Sequence, residues 1–294
     1  AAMGDTWMGD DFFHNGAFRL TYGFEYVYSL ETSKEGEEFK HDRYDTYDWY
    51  LKLGPLSNAN DKYLHGKLPT WQSFIEHPTW DWYWQRKALD QIVTKVTVPT
   101  LNVAGWWDQE DFYGPIRIYE LLERHDRANQ NFLVVGPWNH GGWSRGEGRK
   151  LGRIDFGSPT AQYYRDNVLV RFFAQHLKGK ANADLPEALT FRTGANEWAR
   201  HDMWPPKQNI AARQLYFHKG GKLSFEAPAE NAQPAFDSYI SDPANPVPYR
   251  PRPITLRAGW GTWLVEDQRF VDRRPDVLTF ATEPLEEDVT VSGK

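Results

Sequence analysis

Between residues 93 and 136 the chain reads VTKVTVPTLNVAGWWDQEDFYGPIRIYELLERHDRANQNFLVVG. Its opening, Val93 to Val103, is β-branched and apolar and stops at Ala104-Gly105, the pattern of a buried strand. Pro115 then stands where a helix begins. Ile116, Ile118, Tyr119, Leu121 and Leu122 give that helix a core-facing side. Phe132-Leu133-Val134-Val135 is a second buried strand, ended by Gly136-Pro137. Downstream, residues 160–178 place Tyr164, Val168, Phe172 and Leu177 along one side of a long helix, with Gly179 as the residue just past its end. Strands that are apolar without alternation, separated by helices, imply a parallel α/β sheet covered on both faces.

Working outward, residues 9–16 (GDDFFHNG) read as a loop and 17–29 as a helix. Residues 41–92 carry aromatics spaced near three and four, among them Tyr44, Tyr47, Trp49, Tyr50, Trp80, Trp82, Tyr83 and Trp84, which suits short helices punctuated by Pro55, Pro69 and Pro78. Beyond Gly179 the character changes. Short strands are expected at Ala188–Thr193, Gln214–His218, Val277–Ala281 and Val289–Val291, between Pro- and Gly-rich turns and without a convincing helix. That is the pattern of a β-sandwich. Two parts are therefore expected, 1–183 and 184–294, with 31–92 inserted in the first.

The 294 residues are ample for a substantial core. Fourteen Trp, fifteen Tyr and seventeen Phe suit a concave ligand pocket as well as packing. The net charge of −6 and scattered basic residues argue against a nucleic-acid partner. The absence of cysteine excludes disulfides, thiol nucleophiles and thiolate metal sites. No apolar run is long enough to span a membrane as a helix. The chain opens at Ala1 inside aromatic-dense sequence rather than at a Met, which reads as an internal start.

Two loops carry the chemistry. Gly105-Trp106-Trp107-Asp108-Gln109-Glu110-Asp111 follows the first buried strand and Gly136-Pro137-Trp138-Asn139-His140-Gly141-Gly142 the second. Ligands of open α/β sheets bind beyond the carboxyl ends of the strands. An acid at Asp108 and a general base at His140, in that order, match the last two members of an α/β-hydrolase triad. Glu110 and Asp111 beside them suit a cationic substrate group. The bland alternatives are an acidic loop opening a helix and a histidine satisfied in a turn. One Gly-x-Ser-x-Gly match, at 142–146, centres on Ser144, but no strand leads into it, and it reads as a chance match. A metal site from Asp10, Asp11, His14, Asp108, Glu110 and His140 lacks any His or Glu pair at helical ligand spacing, so no metal and no cofactor is expected.

These motifs, GDDFFHNGAF (9–18), WWDQED (106–111) and GPWNHG (136–141), resemble the α-amino acid ester hydrolases, of the cocaine esterase and X-Pro dipeptidyl-peptidase group of serine hydrolases. The resemblance implies the C-terminal part of an α/β-hydrolase domain with a helical cap, then part of a jelly-roll β-sandwich. It implies cleavage of α-amino acid esters and β-lactam amides by a Ser-His-Asp triad. Asp108 and His140 would be its acid and histidine, and the serine would lie upstream of Ala1. A cluster of carboxylates would bind the substrate's α-ammonium, two of them at Glu110 and Asp111 and the third at Asp10, with Asp11 as its rival. The aromatics of 44–84 would wall a pocket for an aryl side chain. Sister activities stay open: X-Pro dipeptidyl-peptidase, cocaine-esterase-like hydrolysis, or glutaryl-cephalosporin acylase, the last disfavoured because Glu110 and Asp111 would repel its anionic acyl group. A non-catalytic binding fragment is the alternative from another class. The expected partner is a small-molecule substrate, with homo-oligomers and a periplasmic or secreted location as further expectations from the resemblance.

Overall fold

The computed structural model describes residues 3–180, 184–229, 236–256 and 259–292. Its centre is a four-stranded sheet. Strand β1 (Thr100–Gly105) lies parallel to β2 (Asn131–Gly136), in register from Thr100 opposite Asn131 to Gly105 opposite Gly136. Strand β2 lies parallel to β3 (Ala188–Arg192), and β3 pairs antiparallel with β4 (Glu197–His201).

The covering layers follow from the two-residue period of a strand. Helix α1 (Tyr113–Glu123) presses Ile116 and Tyr119 onto Ala104, Leu133, Val135 and Ala188. The opposite face, Val103, Val134 and Leu189, is covered by Ala161, Tyr164 and Val168. Those three belong to one helical run of three pieces: Thr160–Tyr164, a π-wound turn Arg165–Leu169, and Val170–Lys178, which ends at Gly179 in the left-handed conformation. Burial on both faces explains why β2 is apolar without alternation.

Five sequence expectations shift here. The first strand begins at Thr100, not Val93. Pro99 cannot donate to a ladder, and Val98 upstream of it is 61% exposed. The helix expected over 17–29 spans Leu20–Thr32, because Ala17–Phe18 pair with Phe13–His14 instead. The strand expected at Ala188–Thr193 forms, but it continues the parallel sheet instead of opening a sandwich. Ala188, Leu189, Thr190 and Phe191 are all buried, and so suit a sheet covered on both sides. Beyond β4, among the described residues, the only ladder is the small hairpin of Tyr216–His218 and Lys222–Ser224. The expected strand at 277–281 is reduced to one bridge at Ala281, and none forms at 289–291.

The aromatic segment packs as helices around its own core. Phe24, Trp49, Tyr50, Trp71, Phe74 and Trp84 form one cluster that also takes in Phe13 and Val27. Helix Leu20–Thr32 therefore shares the core of the segment 31–92, expected to form a cap. Late sequence straps onto the cap. Thr46 donates from its backbone N and its Oγ1 to the Ile254 carbonyl, and Arg252 pairs with Asp45 and Asp48.

Candidate active site

Two glycines at strand ends bring the two loops together. A Cβ on Gly105 would stand 2.3 Å from the Trp138 carbonyl oxygen, and one on Gly136 would stand 2.4 Å from the Trp138 ring. With neither present, Trp138 crosses the strand ends. Its carbonyl accepts from Trp107 N at 3.0 Å, and the Gly136 carbonyl accepts from Trp106 N at 2.9 Å. The loop after β1 thus lies against the loop after β2.

This contact sets Asp108 beside His140. Asp108 Oδ1 accepts from the backbone N of Glu110 and of Asp111, both at 2.9 Å, and meets His140 Nδ1 at 3.1 Å. The Asp108 side chain is fully buried, and its Oδ2 has no hydrogen-bond partner. As the acceptor from Nδ1, Asp108 selects the imidazole tautomer with hydrogen on Nδ1 and leaves Nε2 to accept a proton. The Gln109 side-chain oxygen accepts from His140 N at 3.2 Å and fixes the loop. The bond to Asp108, more than any other influence, raises the His140 pKa above that of an ordinary histidine.

Two more carboxylates flank the ring: Glu110 Oε2 is 3.5 Å from Nε2, and Asp111 Oδ2 is 3.8 Å from Nδ1. A third carboxylate arrives from the N-terminal loop, because Asp10 bridges Asp111 antiparallel and Asp11 N donates to the Glu110 carbonyl at 2.9 Å. The adjacent aspartates then part company. Asp10 is fully buried and accepts from the backbone N of Gly4, Asp5 and Gly114. Asp11 Oδ1 instead meets the Tyr22 hydroxyl at 3.0 Å, and that hydroxyl meets Glu110 Oε1 at 2.6 Å. The structure therefore brings Asp11 to Glu110 through a shared hydroxyl, and it places the Asp10 carboxylate among backbone amides. Burial is the main cause that pushes Asp11 up to about 6 and Asp111 and Asp10 up to about 7; neighbouring carboxylates add to it in each.

Several contributors received no role from the sequence. Arg19 is half-buried, donates to the Asp11 carbonyl at 2.6 Å and lies 4.4 Å over the Tyr22 ring. Trp260 stacks on Tyr22 with centroids 5.2 Å apart. The Asn139 side-chain amide donates to the Gly261 carbonyl at 3.0 Å, tying the late segment to the histidine loop. Next to Glu110 lies a cavity of about 510 Å³, walled by Tyr22, Tyr26, Tyr249, Trp260 and Trp263. The aromatics expected over 44–84 to wall a pocket instead fill the cap core in the main. His14 does not join the carboxylates; burial and Arg19 lower it to about 4. Among the described residues no group of three or more His, Asp or Glu is disposed to hold a metal ion. The Ser144 hydroxyl donates to the Gly141 carbonyl at 2.7 Å within a short 3-10 turn, without the strand-to-helix elbow of a nucleophile.

An acid and a histidine at the carboxyl ends of neighbouring parallel strands define an α/β-hydrolase type of site. Known proteins agree. Residues 1–142 match the family model of X-Pro dipeptidyl-peptidase (S15 family). The cocaine esterase of Rhodococcus sp. (strain MB1 Bresler) is 30% identical over 243 residues, covering 78% of this chain and 40% of that protein. A selenomethionine-labelled α-amino acid ester hydrolase superposes with a TM-score of 0.92 at 42% identity, over 99% of this chain and 49% of that one. An aminopeptidase from the marine sediment archaeon Thaumarchaeota archaeon gives 0.90 at 42% identity, over 97% and 47%. The chain belongs to the S15 and cocaine esterase group of hydrolases, and it spans less than half the length of each of these relatives.

Proposed function

We propose that this chain supplies the acid, the histidine and the substrate-orienting carboxylates of a serine hydrolase for α-amino acid esters, with the nucleophilic serine contributed from outside these 294 residues. The observation that carries this reading is the convergence of Glu110, Asp111 and Asp11 beside His140. A primary ammonium in a partly desolvated site is best held by several carboxylates. Held there, the ester carbonyl is set one bond from the amine-bearing carbon and close to Nε2.

His140 takes the serine proton as the hydroxyl attacks the carbonyl, then returns it to the departing alcohol. Water reverses the sequence and releases the amino acid. Asp108 stabilises the imidazolium formed at each step. Attack by the amine of a β-lactam nucleus in place of water would make the corresponding amide. The aromatic cavity beside Glu110 would take the acyl side chain. We assign the segment after β4 to a jelly-roll domain on the resemblance, supported by the hairpin at 216–224.

Similarity to an aminopeptidase at the same identity favours one second reading, cleavage of N-terminal peptide bonds at the same ammonium site. The test of the first reading is Glu110→Ala, in a protein carrying the complete hydrolase domain. Its KM for a p-nitrophenyl α-amino ester should rise roughly a hundredfold, the ~2–5 kcal/mol typical of losing one partner of a buried charge pair. KM for the ester lacking the amine should be unchanged. Equal effects on both would overturn the role of Glu110. Comparing amino esters with amino-terminal peptides separates the two readings.

A further inference from the structure

The Tyr22 hydroxyl has one hydrogen and two carboxylate neighbours, Glu110 Oε1 at 2.6 Å and Asp11 Oδ1 at 3.0 Å. It can donate to only one of them. The second contact brings two oxygens together, and it is attractive only if that carboxyl carries a hydrogen of its own and donates it to the phenol oxygen. The shorter contact identifies Glu110 as the acceptor from Tyr22 and Asp11 as the protonated partner. An ionised Tyr22 does not resolve the conflict, since burial and both carboxylates hold the phenol far above its ordinary value.

The surroundings add negative charge and little compensation. Asp108, Glu110 and Asp111 face the pair from the loop after β1, and His140 from the loop after β2. Arg19, Tyr22 and Tyr26 face it from helix Leu20–Thr32; Arg19 donates to the Asp11 carbonyl, not to its carboxylate. The late segment contributes the uncharged Trp260 ring. One oxygen of Asp108 and one of Asp111 are buried without a hydrogen-bond partner, so the cluster is short of donors.

We propose that the unliganded site holds one proton in the chain Asp11–Tyr22–Glu110, and that a primary ammonium ligand displaces it to solvent. The ammonium brings three N–H donors and one positive charge. One N–H replaces the proton on Asp11, another reaches Glu110, and Tyr22 keeps its bond to Glu110. The balance is protonated site plus R–NH3+ giving R–NH3+ bound to the ionised site plus H+. This rests on reading the cluster as an ammonium site. Acidification then weakens binding by proton competition. The affinity falls ~10-fold per pH unit below the pKa of the held proton, and levels off above it.

Isothermal titration of this chain with benzylamine tests it, at about pH 5 in two buffers of different ionisation enthalpy, where the ligand is fully protonated. At least one proton should leave per ligand bound. Asp11→Asn should lower the release by close to one proton, and Asp42→Asn, at an exposed carboxylate outside the cluster, should leave it unchanged. Asp11 has a φ of 53°, a left-handed conformation that asparagine tolerates, so this variant preserves the loop. Binding without proton release, or release that Asp11→Asn leaves undiminished, overturns the proposal and leaves the ammonium site standing. No binding of benzylamine by the unmodified chain overturns the ammonium site itself, and this proposal with it.

Discussion

The two halves of the proposed site are held in different ways. The acid–base half, Asp108 and His140, is fixed by backbone. Two amides clamp Asp108, two glycines admit Trp138 across the strand ends, and β2 beneath is paired on both sides and buried throughout. The carboxylate half, Asp11, Glu110 and Asp111, is assembled from three distant stretches of chain, through a tyrosine hydroxyl, an arginine and a stacked tryptophan. The first half is a rigid positioning device. The second is a cluster of like charges whose protonation answers to what binds. A backbone-fixed site can hold one geometry through a reaction cycle, whereas a side-chain cluster can exchange a proton for a cation.

The sharpest way to break this comparison is Asp108→Asn in a protein with the complete hydrolase domain. An asparagine cannot enforce the same tautomer, and kcat should fall by roughly 10³–10⁴ with KM little changed. A fall confined to KM would make Asp108 part of the binding half. Next in size is Asp10→Ala. It leaves three buried backbone N–H groups without their acceptor, so urea unfolding should show a loss of about 3 kcal/mol, where Asp11→Asn costs far less. Equal costs would remove the distinction drawn between the two aspartates. Trp260→Ala removes the ring stacked on Tyr22 and should weaken binding of an aryl amine by about 1 kcal/mol, or roughly fivefold, as titration would show.

The smallest effect is on stability against pH. Asp10, Asp11 and Asp111 have folded pKa values raised above the ordinary carboxylate range, so between the two values the folded state binds more protons. Their contribution to stability is present when they are protonated and is lost as the pH rises through about 6 to 7. The raised His140 acts in the same direction. The melting temperature should therefore drop modestly from about pH 5 to pH 8, and Asp111→Asn should flatten that slope. A rise over the same interval would show that the cluster is ionised in the free protein.

Parts of this were legible in residue order alone. The apolar runs ending at Gly105 and Gly136 announced β1 and β2, and the loops just beyond them drew attention to Asp108 and His140, because a parallel strand covered on both faces reads as a continuous apolar run closed by a turn. Glu110 and Asp111 were legible because they adjoin Asp108. The choice between Asp10 and Asp11 was not. Which of the two faces Glu110 turns on the direction of two adjacent side chains, and that follows from the bridge between Asp10 and Asp111, residues 101 positions apart. Ala188–Phe191 misled for the opposite reason: a short apolar run carries no record of which sheet it joins.

What the sequence by itself determined is the alternation of buried strand and helix and the acid–histidine pair at the strand ends. Both are local patterns, set by burial periodicity and by turn-forming glycine and proline. Only the tertiary structure decided that Tyr22, Arg19, Trp260 and Asn139 meet there. A hydroxyl shared by two carboxylates, a ring stacked on a ring and an amide donating across 122 residues depend on the packing of distant elements, and residue order carries no trace of that packing.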